Sequence, residues 1–281
     1  MSNKEVVLVT GCTKGGIGWE LCRHFARRGG YTVVATLRDP SKAEFPEEFQ
    51  KSDKIEVLPL DVTDPKSIAS CVETVVKRHG CIDILINNAG RPCVGPLAEV
   101  PLEEIRGTFE TNVFGLVAMC QAVIPHMARK GRGKIVNIGS VVGWLPIPWG
   151  AAYAASKSAV ESFTASLRME CAHLGIQAML VVPGAIKSNF GSNSLASLFM
   201  KPEGSSLFDS KREHIVRRAN TSQAGDATPT EVFVKSVGDE IARPQMRATL
   251  AAGSRSSLMW FFKFFLPTWI SEWLMKRKFV L

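Results

Sequence analysis

Short apolar runs alternate along this chain with stretches of helical periodicity, and that alternation limits the fold more than any other feature. The runs lie at 6–9, 31–36, 55–60, 82–86, 134–138 and 177–182. Between them apolar residues recur three and four apart, as in Trp19, Leu21, Cys22, Phe25 and Ala26, and again in Ile68, Val72, Val75 and Val76 within a helix predicted over 65–79. No hairpin signal joins one run to the next. Antiparallel neighbours can be joined by two residues, but parallel neighbours need a long crossover, usually a helix. The pattern therefore predicts an α/β fold, a doubly wound parallel sheet. The 281 residues suit one large domain of this kind, or two small ones. Residues 40–54 are charged and predict a loop with one helical turn, whereas 101–129 predict a long helical stretch containing Asn112 and Gly115. There are no internal repeats.

The first run ends in Thr10-Gly11, then reads CTKGGIG and enters a helix. A strand, a glycine-rich turn and a helix make a phosphate cradle. Gly11, Gly16 and Gly18 let the backbone approach a pyrophosphate, and the helix N-terminus around Ile17 favours its charge. The spacing fits TGxxxGxG only with one residue inserted, and the segment also reads as an ordinary strand-to-helix turn. The second run ends in Leu37-Arg38-Asp39-Pro40. In a dinucleotide fold this strand end meets the adenosine ribose, where an acid binds a 2′-hydroxyl and an arginine a 2′-phosphate. Asp39 lies near the generic position of the acid. Arg38 is nearer the strand end, and Lys14 adds a second cation in the glycine loop. The balance favours NADPH; a solvated Arg38 is the alternative.

The stretch SVVGWLPIPWGAAYAASK, from Ser140 to Lys157, carries the candidate chemistry. Tyr153 and Lys157 are four apart in a helical pattern, so a phenol and an ammonium share one face, one turn apart. Ser140 stands at the end of the apolar run KIVNIGS, where its hydroxyl can face the phenol across a cleft. A nearby cation favours a phenolate, so Lys157 can bring Tyr153 into useful range as a general acid or base. Ser140 can hold a substrate oxygen while charge develops on it. A buried tyrosine beside a surface lysine is the plainer reading of the same pair.

Taken in order, the glycine loop, NNAG at 87–90, NVFG at 112–115, Ser140, YAASK at 153–157 and PG at 183–184 strongly resemble the classical short-chain dehydrogenase/reductase family over about residues 5–188. The resemblance implies a seven-stranded Rossmann sheet and hydride transfer with a nicotinamide cofactor. It implies a catalytic tetrad of Asn112, Ser140, Tyr153 and Lys157. Tyr153 would donate the proton in reduction, and Lys157 would lower its pKa and hold the nicotinamide ribose. Asn112 would anchor a water in the proton relay. It places Asp61 at the adenine and Asn88 near the cofactor ribose, with further cofactor contacts at Val62, Ala89, Gly90, Pro183, Gly184 and Ile186. Ser188 takes the place of the usual threonine at the carboxamide. Within the family, TGCTKGGIG and the late hydrophobic, basic tail look most like NADPH-dependent 1-acyldihydroxyacetone-phosphate reductases. Hydroxysteroid and retinol dehydrogenases share a similar loop.

The remaining chain bears on the substrate. Residues 185–230 would form most of a lid within a domain of 1–256. Between Lys187 and Arg218 it holds six basic residues (187, 201, 211, 212, 217 and 218) and three acids. That excess suits a substrate phosphate, or solvated helix surface. Residues 257–281 read SLMWFFKFFLPTWISEWLMKRKFVL, interrupted by Lys263 and broken at Pro267. A membrane span needs roughly 20 apolar residues. This segment instead suits an interfacial position on an anionic membrane, or a cover for the substrate channel or a dimer contact. The net charge of +8 suits an anionic partner, and no nucleic-acid module is present. Seven scattered cysteines without a CxxC imply reduced thiols in a cytosol-facing protein, and the early first strand leaves no room for a signal peptide. No metal site is expected. The function expected is NADPH-dependent reduction of a lipid ketone, 1-acyldihydroxyacetone phosphate first, at the cytosolic face of the endoplasmic reticulum or a lipid droplet. The alternatives are a hydroxysteroid or retinol dehydrogenase, a cytoplasmic location, and a cofactor-binding scaffold without turnover.

Overall fold

The structure is a computed structural model that describes residues 4–50, 54–220 and 225–279. Strands β1 (Glu5–Thr10), β2 (Tyr31–Leu37), β3 (Ile55–Pro59), β4 (Ile84–Asn87), β5 (Gly133–Ile138) and β6 (Ile176–Pro183) realise the six apolar runs. Two residues of the fourth run, Ile82 and Asp83, stand before the strand rather than in it. In chain order the helices are α1 (Ile17–Arg28), α2 (Glu47–Gln50), α3 (Pro65–His79), α4 (Leu102–Phe109), α5 (Gly115–Lys130), α6 (Val141–Trp144), α7 (Ala151–Glu170), α8 (Phe190–Ala196), α9 (Arg212–Ala219), α10 (Thr230–Ile241), α11 (Ser256–Phe265) and α12 (Thr268–Phe279). Strands β7 (Ile186–Lys187) and β8 (Thr228–Pro229) form a separate small ladder, and β9 (Thr249–Ala252) is the seventh strand of the main sheet.

All seven main strands are parallel, in the order β3-β2-β1-β4-β5-β6-β9. Alternate residues of each strand feed two cores. On one face Leu8, Leu85 and Ile135 meet Val72 of α3, Met119 and Val123 of α5 and Val160 of α7. On the other, Val7, Val9 and Ile84 meet Leu21 and Phe25 of α1 and Phe233 and Val237 of α10. Being covered on both faces is why these strands are apolar without alternation. Helix α3 follows its local signals closely. Asp64 caps it by accepting from Lys66 N at 3.0 Å, Pro65 opens it, and Gly80 ends it in a left-handed conformation.

The predicted 101–129 helix is continuous but widens into a single π turn at Glu110–Phe114, centred on Asn112. The 40–54 segment holds a 3-10 turn, Pro40–Ala43, as well as α2; residues 51–53 lie outside the described residues. The cysteines are all free thiols, six of them buried. The tail 257–281 is the largest addition to what local pattern suggests. Met259, Met275 and Phe279 are buried in the same core as α3, α5 and α7, so α11 and α12 pack onto the sheet's own core. Among the described residues, 102–130 is long and apolar enough to cross a membrane, but Met119, Val123 and Met127 on it have no accessible surface and belong to the core.

Candidate active site

The sheet order reverses direction at β1, whose neighbours are β2 on one side and β4 on the other. Beyond the carboxyl ends of such strands the crossovers diverge and leave a crevice. Here it is a cleft of about 1240 Å³ lined by the residues after β1, β2, β4, β5 and β6. That volume exceeds the roughly 300–1,000 Å³ of an ordinary small-molecule pocket, so a dinucleotide and a substrate fit together.

The glycine loop is fastened to the end of β4. Thr10 Oγ1 accepts from the main-chain N–H groups of Asn88 and Ala89 at 3.0 and 2.9 Å. Asn88 Nδ2 donates back to the carbonyls of Thr10 and Gly11 at 2.8 and 3.0 Å. Two glycines are required by this closeness. Gly11 has φ +73°, and a Cβ on it would lie 2.8 Å from Ala89 Cα; a Cβ on Gly18 would lie 2.4 Å from Asn88 Nδ2. The extra loop residue is absorbed outward. Lys14 N donates to the Lys42 carbonyl at 3.1 Å, and Asn189 of the lid reaches across, its N–H to Gly15 O at 3.3 Å and its amide to Lys14 O. Gly11, Gly16 and Ile17 line the cleft, while Gly18 packs beneath it.

The end of β2 separates the two residues that sequence spacing leaves in competition. Asp39 is used as a cap: its Oδ1 accepts from Ser41 N at 3.1 Å and Ser41 Oγ at 2.7 Å, and these bonds, with the charge of Lys42, hold its carboxyl below the usual range. Arg38 lines the cleft with Asp61 and Val62. Lys14 is not in the cleft wall and pairs with Glu44 at 2.7 Å. Ala89, Gly90, Pro183, Gly184, Ile186 and Ser188 all line the cleft.

At the other end Ser140, Tyr153 and Lys157 converge. Ser140 caps α6, its hydroxyl accepting from Val142 N at 3.4 Å, and stands close enough to the Tyr153 phenol to favour its ionised form. Burial pushes Tyr153 up to about 12, against Ser140 and the positive charge of Arg218, which both pull it down. Lys157 Nζ donates to the Ile138 carbonyl at 2.7 Å and lies 5.7 Å from the Tyr153 ring centre. Burial lowers Lys157 to about 8. The sequence reading gives Lys157 the task of lowering Tyr153. In the structure burial dominates the phenol, and Arg218 of α9 adds a positive charge that favours its ionised form. Asn112, in the π turn, reaches α7 at the residue before Lys157: Oδ1 accepts from Arg91 N at 2.7 Å, and Nδ2 donates to Arg91 O at 3.0 Å and Ser156 Oγ at 2.9 Å.

On the side of the lid and tail helices the cleft has apolar walls, Phe190, Phe199, Met259, Met275 and Phe279, with Arg218, Arg255 and Lys278 among them. Of the six lid cations only Arg218 lines it. Sequence reasoning did not separate Arg218 from its neighbours. The signal was present: it falls on the stripe of Ile215 and Ala219, the buried face of α9.

Residues 5–197 match the family model described as short chain dehydrogenase. Among curated relatives, the NADPH-dependent 1-acyldihydroxyacetone phosphate reductase of Schizosaccharomyces pombe is 30% identical over 92% of this chain and 88% of its own length. Human retinol dehydrogenase 8 is 38% identical over 70% of this chain and 63% of its own. A short-chain dehydrogenase from Streptomyces avermitilis superposes with a TM-score of 0.78 at 28% identity, covering 98% of this chain and 96% of that one.

Proposed function

This chain belongs to the short-chain dehydrogenase/reductase family and is an NAD(P)-dependent oxidoreductase, and on that premise we propose that it uses NADPH to reduce a lipid ketone to a secondary alcohol. The substrate proposed first is 1-acyldihydroxyacetone phosphate, giving 1-acylglycerol 3-phosphate. The placement of α11 and α12 carries this reading. Their inner residues Met259, Met275 and Phe279 wall the cleft, while Trp260, Phe264, Phe265, Trp269 and Trp273 stand exposed on the outside. An acyl chain leaving a bilayer at such a surface enters between apolar walls without crossing water. The segment 257–281 is accordingly proposed as an interfacial attachment to a cytosol-facing membrane.

The residues present fit a phosphorylated dinucleotide. Gly11 leaves the close approach a pyrophosphate needs, Arg38 lines the ribose end, and Asp39, the competing acid, is spent as a cap. When bound, the cofactor supplies a hydride to the ketone carbon. Ser140 would hold the ketone oxygen and Tyr153 would donate its phenolic proton to it. Lys157, one helical turn on, would stabilise the charge left on the phenol oxygen and offer its remaining N–H donors to the cofactor ribose. Asn112 would brace the floor by fixing Arg91 and Ser156.

The test is NADPH oxidation by the purified protein with 1-acyldihydroxyacetone phosphate, steroid ketones and retinal side by side. Preference for the phosphorylated ketone supports the proposal. Turnover of retinal or a steroid alone favours the second reading, a retinol or hydroxysteroid dehydrogenase, to which the 38% identity with retinol dehydrogenase 8 lends weight.

A further inference from the structure

Arg218, buried in the cleft, has no counter-charge among the described residues. Arg218 is 9% exposed, and its Nε is buried with no hydrogen-bond partner. Its guanidinium lies against Gly150, where a Cβ would stand 3.1 Å from Nη2 and 3.5 Å from Nε. Gly150 caps the N-terminus of the 20-residue helix α7, an end with no side-chain cap and no acid in its first turn. That end carries partial positive charge, so cation and helix terminus repel where they meet. The indole Nε1 of Trp149, one residue earlier, is also buried without an acceptor. Nearby, Arg255 and Lys278 line the same cleft. Arg255 is held by Asp226 at 2.6 and 2.8 Å, and among the described residues no salt bridge engages Lys278 or Arg218. Burial, with Tyr153 opposing it, lowers Arg218 to about 10; burial and then the charge of Arg255 lower Lys278.

Every unsatisfied group in this corner is a donor. A buried guanidinium left unpaired is costly, and a planar fork of donors matches a phosphate or carboxylate. Three residues, about 4.5 Å of helix rise, separate Gly150 from Tyr153. We propose that Arg218, supported by Lys278, binds an anionic substituent that the substrate carries close to the ketone reduced at Tyr153. This rests on Tyr153 being the proton donor, and it specifies what the lipid ketone must carry: a phosphate or carboxylate a few bonds from the carbonyl. The same charge, left unneutralised, would favour the phenolate, so anion binding also raises the readiness of Tyr153 to stay protonated until reduction.

Matched ketones with and without the anion test it. The pairs are 1-acyldihydroxyacetone phosphate against 1-acyldihydroxyacetone, and a 3-oxo fatty acid against its methyl ester. The wild-type protein should favour the anionic member of one pair by about a hundredfold or more in kcat/KM; which pair it is distinguishes phosphate from carboxylate. Arg218→Gln should bring that ratio toward one, and Arg218→Lys should restore part of it. NADPH titration and thermal melting show whether each variant folds. Equal use of both members by the wild type overturns the anion subsite and leaves the reductase reading standing. An Arg218→Gln loss shared equally by both members also overturns it, since a structural role, or one acting only through Tyr153, would do that. If no ketone is reduced, the reductase reading fails, and calorimetry on the NADP-saturated protein with 1-acylglycerol 3-phosphate decides the subsite. Binding weakened tenfold or more by Arg218→Gln supports it, and binding indifferent to the substitution overturns it.

Discussion

Tyr153 works against its own surroundings. Burial raises it to about 12, so at neutral pH it is a protonated phenol, the form that reduction requires. Tyr153→Phe should lower turnover by about 10²–10⁴ while NADPH affinity, measured by fluorescence titration, changes far less. Near-normal turnover would remove Tyr153 from the mechanism. Lys157 sets the pH response. Burial lowers it to about 8, so it is an ammonium below that pH and loses its charge above it. The charge that stabilises the phenol oxygen as it gives up its proton is thus lost as pH rises. Reductive kcat/KM should fall as pH rises through about 8, and Lys157→Met should be slow with that limb absent. At the other end of the cleft, Arg38→Ala should cost NADPH the equivalent of a charged hydrogen bond, about 1.5–3 kcal/mol or roughly 10- to 150-fold in Kd, and leave NADH nearly as before. Equal losses for both cofactors would remove Arg38 from the 2′-phosphate.

Among the elements, the β1–α1 connection shows how close packing places a polar site. Its glycines are set by the neighbouring β4 end as much as by any ligand, since Asn88 fills the space a Cβ on Gly18 would take. Gly18→Ala should therefore destabilise the protein without a cofactor present, by about 1–3 kcal/mol, the usual cost of overpacking. That corresponds to a drop of several degrees in Tm for a chain of this size, read by differential scanning calorimetry. An unchanged melting curve for the cofactor-free protein would mean that the loop needs glycine at this position only for the pyrophosphate. Helices α7 and α9 show the same dependence on neighbours. The bare N-terminus of α7 and the buried Arg218 of α9 are each unremarkable alone, and only their meeting at Gly150 creates a demand for an anion.

For the whole molecule, the decisive feature is that α11 and α12 serve two surfaces at once. Removing 257–281 would strip Met259, Met275 and Phe279 from the core that α3, α5 and α7 share, so truncation confuses attachment with folding. Outer-face substitutions are the cleaner experiment. Phe264, Phe265 and Trp269 are 57%, 61% and 71% exposed, and replacing them together with Ser should leave the fold intact. Flotation with anionic liposomes should then recover the wild-type protein and lose the triple variant. The basic residues Lys276 and Arg277 at the end of α12 add on the order of 1 kcal/mol each near such a surface, so binding should also weaken with salt. A wild-type protein that stays in the soluble fraction at low salt would make the exposed aromatics a contact for something other than a bilayer.

Local pattern alone determined a great deal here. The apolar runs, the glycine loop and the order of NNAG, Ser140, YAASK and PG sufficed for the parallel sheet, six of its strands and the convergence of Ser140, Tyr153 and Lys157. Those features depend on periods of a few residues and on backbone chemistry that each segment carries with it. Strand β9 was illegible because TLAA is four residues long and, among the described residues, pairs with β6 alone. What the tertiary structure decided were the fates of charges. Asp39 became a cap while Arg38 lined the cleft, Lys14 went to Glu44, and one lid arginine of several was buried beside Tyr153. The Asp39 cap is local, made by Ser41, but whether Lys14 is paired or Arg218 is left alone in a low-dielectric cleft depends on groups dozens of residues away, and no local window contains them.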